Sequence, residues 1–233
     1  HLPLMLAVAI AQMPHFFLLQ YGNRQAIFEQ DAVAAQVRDS FLGQQRTQQV
    51  EGVSGVEVFN GAAGSQPSYV YRSSNPGIYY EYQLCFKCHS SWTTPPGGQP
   101  DMAMLFNPNN PSYHPVEALG KNTNIDPQAF VNGWAPTDTM YCTDCHTSDN
   151  TLVRGPHGSQ YRYILKKDYP SGSVRTMSTN EICFDCHRYD TYANRDASTT
   201  VKRYSRSDKH AKHTVDKQFP CYTCHGSHAS TIY

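Results

Sequence analysis

Apolar residues crowd the start of the chain. Of positions 2–19, 14 are apolar, most of them in the blocks Leu4–Ala11 and Phe16–Leu19. An unbroken run of that length would predict a membrane-spanning helix, but Pro3, Gln12, Pro14 and His15 interrupt it. It does not read as a leader peptide either, because it has no initiator Met and no Lys or Arg precedes Arg24. The expectation is that a leader has already been removed and that His1 opens the mature chain. A helical period follows over Arg24–Leu42, carried by Ala26, Ile27, Ala32, Val33, Ala35 and Val37. Beyond it, turn-forming residues dominate Thr93–Pro100, Asn107–Pro115 and Pro170–Gly172. The pattern predicts short helices, little strand and mostly irregular chain.

Composition narrows the class. The 233 residues carry 19 Lys and Arg against 19 Asp and Glu, a formal net charge of zero. That balance argues against a nucleic-acid binder, which needs a basic excess. The 16 Tyr, 10 Phe and 2 Trp make the chain too aromatic for a disordered one.

The 8 cysteines and 11 histidines change the picture most. Every cysteine falls in a repeated pattern: Cys85-Phe-Lys-Cys88-His89, Cys142-Thr-Asp-Cys145-His146, Cys183-Phe-Asp-Cys186-His187 and Cys221-Tyr-Thr-Cys224-His225. This is the attachment signature of c-type haem. Two thiols add to the two vinyl groups of one porphyrin, and the adjacent imidazole is placed under the iron. Zinc sites or disulfides would account for the cysteine pairs but not for the histidine after each second cysteine. The cofactors implied are four covalently bound haem c groups, with His89, His146, His187 and His225 as proximal ligands.

Over residues 85–233 the chain resembles the multihaem c-type cytochromes, motif by motif. That resemblance implies export, to the cell surface, the extracellular space or the periplasm. The resemblance does not cover residues 1–84, which carry no motif and read as a haem-free arm and helix; residues 85–233 read as a tetrahaem domain, mostly irregular coil with short α-helices wrapped around the haems and little β.

Seven histidines remain to close the far sides of four irons, so ligation by two histidines at every haem needs no Met ligand. His228, three residues after His225, must approach from the opposite face of a ring, so it serves a neighbouring haem rather than its own. His157 lies in a turn of Gly and Pro, and Pro115 holds His114 extended. His210 and His213 would share one helical face. His213 is preferred, on the resemblance of His213-Thr214 and the polar run before Cys221 to segments of such cytochromes.

The apolar start must be covered, by the chain's own core or by a neighbouring subunit. A head-to-tail contact of the second kind generates filaments, and His15 could then cap a neighbour's haem. Arm, motifs and spare histidines together are similar to the tetrahaem cytochromes that polymerise into conducting filaments (the OmcE-like type). The leading function is electron transfer along a haem chain in such a homopolymer, with extracellular redox partners. A soluble periplasmic carrier is the alternative. A multihaem reductase is a third reading, weakened because histidine suffices to close every iron.

Overall fold

The computed structural model describes residues 50–122, 124–149, 156–207 and 209–230. The apolar arm, His15 and the helix expected over 24–42 lie outside them.

The fold begins with a hairpin. Strand β1 (Gly55–Phe59) pairs antiparallel with β2 (Ser68–Arg72), Val56 opposite Tyr71 and Val58 opposite Tyr69. Alternation sends Val56 and Val58 to one face and leaves Glu57 on the other, where it meets Arg72 at 2.9 Å. Gly55 permits the approach of the next segment: a Cβ there would stand 2.5 Å from Ile78 Cγ2 and 2.8 Å from the Gln83 carbonyl oxygen.

Helix α1 (Glu81–His89) carries the first motif. Its start is fixed by the Gln83 side chain, whose oxygen accepts from the Tyr79 amide at 2.8 Å and the Tyr80 amide at 3.2 Å. The helix presents Phe86 to a core of Val56, Ala103, Phe106, Val116 and Met140, with Val58, Tyr69, Tyr82 and Trp134 around it. Each large apolar side chain buried there contributes about 1.5–3 kcal/mol. The hairpin and the first motif therefore share one core, so the packed unit begins upstream of Cys85.

Helix α2 (Met102–Phe106) is capped by Asp101, which accepts from the Met104 amide at 3.2 Å. The turn-rich stretch after it is not a solvated loop. Asn107 and Asn110 are fully buried. Asn110 donates to the carbonyls of Met104 and Leu105 at 2.9 and 2.8 Å, and its oxygen accepts from the Gly64 amide at 2.9 Å. Such bonds satisfy buried backbone where no regular element does.

The rest consists of single turns and short helices, among them α3 (Tyr189–Tyr192), α4 (Thr199–Lys202) and a π-type turn over Ala211–Asp216. Strand β3 (Ser112–Tyr113) pairs with β4 (Ala229–Ser230), which ties the C-terminal segment back to the first half of the chain. Among the described residues, no helix is long and apolar enough to cross a membrane.

Candidate haem-ligating site

All four motifs fold alike. The first is a turn of α1, and the others are short 3₁₀ turns at Cys142–Asp144, Ile182–Asp185 and Cys221–Thr223. In those three the histidine amide donates to the carbonyl of the first cysteine, at 2.9, 3.0 and 3.0 Å. One turn of this kind brings residues three and four apart to the same side, as a ring held by two thiols and capped by the next imidazole requires. All eight cysteines are free of disulfides. Burial pushes the thiols of Cys145 and Cys186 up to about 12.

The motifs follow one another in space in chain order. The Cys85 and Cys142 thiols neighbour each other and interact electrostatically, as do those of Cys183 and Cys221. Between these couples, the Lys166 amide donates to the Cys145 carbonyl at 3.0 Å, and its ammonium pairs with Asp185 of the third motif.

The histidines come in facing pairs. His89 faces His157 with ring centres 6.2 Å apart and planes 16° from parallel. His146 faces His228 at 6.1 Å and 21°, and His225 faces His210 at 6.2 Å and 17°. A bound metal ion sits about 2 Å from an imidazole nitrogen, so two such bonds in line across one iron put the ring centres about 6 Å apart. The spacing and the near-parallel planes fit an iron porphyrin between each pair. The arrangement does not suit zinc: among the described residues, no three His, Cys, Asp or Glu side chains converge on one point.

His187, the fourth proximal candidate, packs against Phe130 and, edge-on, Tyr192. Burial, then the neighbouring His114, His225 and His210, lowers it to about 4. His114 hangs beside His228: its amide donates to the His228 carbonyl at 2.9 Å, continuing the β3–β4 pairing. Burial also lowers His89, His114, His146 and His210, and takes His228 to about 4. Neutral imidazole is the form that can donate a lone pair to iron.

The rings placed opposite proximal histidines are thus His157, His228 and His210. His213 lies instead 6.4 Å from Phe219. His228 turns away from His225, as an approach from a neighbour's far side demands. Gly226 makes that turn possible, since a Cβ there would run into the Ala229 carbonyl.

Several supporting residues carry no signal in the sequence. His146 Nδ1 meets the Tyr163 carbonyl at 3.1 Å, and His114 Nδ1 meets that of Ser227 at 2.7 Å. Tyr163 holds a left-handed backbone, φ 61°, which a tyrosine adopts only under constraint. Glu81, buried under the second motif, accepts from the Thr143 hydroxyl at 2.6 Å, and its other carboxylate oxygen is buried with no hydrogen-bond partner among the described residues. Burial raises its carboxyl to about 7.

Residues 68–232 match the profile of the family described as outer membrane cytochrome MtrC/MtrF-like, domains II/IV. The chain belongs to that family. Nothing matches among the curated proteins or the solved structures. An MtrC/MtrF-like cytochrome carries several covalently bound haem c groups and transfers electrons. The family places it at the outer membrane or cell surface. The match begins at Ser68, inside the hairpin that packs on the first motif.

Proposed function

We propose that this MtrC/MtrF-like chain holds four haem c groups in a row, each iron closed by two histidines, and passes electrons from one to the next. The single observation that carries the reading is the set of imidazole pairs at 6.1–6.2 Å. The assignments are His89 with His157, His146 with His228, and His225 with His210. His114 goes with His187, as the remaining described histidine among those that depress it. Short helices and coil wrapped around the rings then supply the rest of the core. The porphyrins supply the redox chemistry. The chain fixes their spacing and closes each iron to exogenous ligands.

The setting proposed is an extracellular filament. Its support is the apolar arm of residues 2–19, which contains His15, together with a neutral polypeptide, since low net charge favours association. The arm of one subunit would cover part of the next and bring His15 to it.

A pyridine haemochrome assay tests the loading, and four haems per chain with all-low-spin electron paramagnetic resonance is expected. Fewer haems, or a high-spin signal, overturns it. Negative-stain imaging tests the assembly. Polymers that dissolve when residues 1–19 are removed are expected, and a monodisperse full-length monomer makes the protein a diffusible carrier instead.

A further inference from the structure

The zero net charge hides a division. Residues 50–149, with the first two motifs, carry nine Asp and Glu against only Arg72, Lys87 and Lys121. Residues 150–233, with the last two, carry thirteen Lys and Arg against seven Asp and Glu. Haem propionates add negative charge to both ends alike and leave the difference standing. Salt screens exposed charges beyond about 8–10 Å, so the acidic excess, part of it buried, acts more strongly than the basic one, whose half-buried members are all ion-paired. At the acidic end Glu81 is buried beneath Cys142 and Thr143, and Asp144 sits inside the second motif, accepting from the Tyr141 amide at 2.7 Å. At the basic end both Lys166 and Lys167 close on Asp185 of the third motif. Arg175 reaches Glu181 at 3.1 Å and Asp168 at 3.5 Å.

The imidazoles divide only in part, since His114, assigned to His187, also gives its Nδ1 hydrogen to a carbonyl, that of Ser227 at 2.7 Å. His146 gives its Nδ1 hydrogen to the Tyr163 carbonyl, which makes the ligand more basic and favours ferric iron. Nδ1 of His187 and of His210 is buried with no protein partner among the described residues. Negative charge and a basic ligand both favour ferric iron, whereas positive charge and an unassisted ligand favour ferrous iron.

We propose that the conduit is polarised along its own sequence, with the haems of the Cys85 and Cys142 motifs at lower potential than those of the Cys183 and Cys221 motifs. Electrons then run downhill from the acidic end to the basic end. Each step oxidises one ferrous iron and reduces the next ferric iron, with no bond made or broken. Glu81 and Arg175 act as positioning charges, each working through the haem beside it. The inference rests on the four-haem loading proposed above.

The test is a potentiometric titration of the loaded full-length protein, followed by nuclear magnetic resonance of the haem methyl groups and preceded by a haem count. At a common poise the ratio of reduced to oxidised iron should be at least tenfold higher in the last two haems than in the first two, about 59 mV for a one-electron couple. At pH 8, above the value of about 7 to which burial raises the Glu81 carboxyl, Glu81→Gln should raise that ratio about threefold or more at the second haem and leave the last two unmoved. Arg175→Gln should lower it at the third and leave the first two unmoved. Either variant reads out alone if the other fails to load. A count below four overturns the loading and this inference with it. Four haems with coincident or inverted midpoints, or variants that shift the wrong couple, overturn the polarity and leave the loading standing.

Discussion

At the scale of single residues, the motifs were legible and their partners only partly so. A cysteine pair followed by histidine names its own chemistry, because thiols and imidazole must lie within one turn. The choice between His210 and His213 was not legible, because it depends on how the chain winds. The preference for His213 rests on the resemblance of the run before Cys221, and the two histidines share a face only if the segment is α-helical. The observed π-type turn, with the Lys217 amide donating to the Lys212 carbonyl at 3.1 Å, winds fewer degrees per residue and separates them. His210 meets His225, and His213 falls beside Phe219. His210→Ala should therefore open one iron, giving a high-spin band and carbon monoxide binding, while His213→Ala stays low-spin. Visible spectra with and without carbon monoxide decide between them. Two carboxyls predict a pH effect. Burial raises Glu81 and Glu117 to about 7 from 4.5. The folded state thus holds more protons than the unfolded one between these values, and stability falls as pH rises through that window. For Glu81 the effect approaches about 3 kcal/mol. Denaturant titrations from pH 4 to 8 should show this slope in the parent protein and a flatter one in Glu117→Gln.

At the scale of elements, the shortest ones do the positioning. Strands β3 and β4 have two residues each, yet they bring His114 and His228 side by side from 114 positions apart. No periodicity test can find a strand that short. The hairpin β1–β2 was missed for a related reason: Gly-Val-Glu-Val-Phe alternates over too few positions to stand out from coil. Gly226→Ala should disturb the turn before β4. The loss of His228 from His146 would appear as one high-spin iron in electron paramagnetic resonance, with the haem count unchanged. Helix α1 binds the hairpin to the first motif through Phe86, which is 1% exposed. Phe86→Ala should cost about 3–5 kcal/mol, read as a lowered thermal midpoint of the loaded protein.

At the scale of the whole molecule, the succession of motifs in space repeats their order in the chain. That much follows from neither composition nor spacing. It depends on contacts such as Lys166 with Asp185, and on a C-terminal strand that returns to residue 112. The expected irregular character has a physical reason in the turn-rich stretches: buried asparagines tie backbone that no helix or sheet could satisfy. The thiol contacts have a consequence for biogenesis. In an oxidising compartment, neighbouring free sulfhydryls readily join. A polypeptide that folded before receiving its porphyrins would cross-link Cys85 to Cys142 and Cys183 to Cys221, fastening shut the positions meant for pigment. Maturation must therefore precede collapse. Peptide mapping of the colourless protein made without attachment machinery should recover those two bridges and not the four bonds within the motifs, one in each.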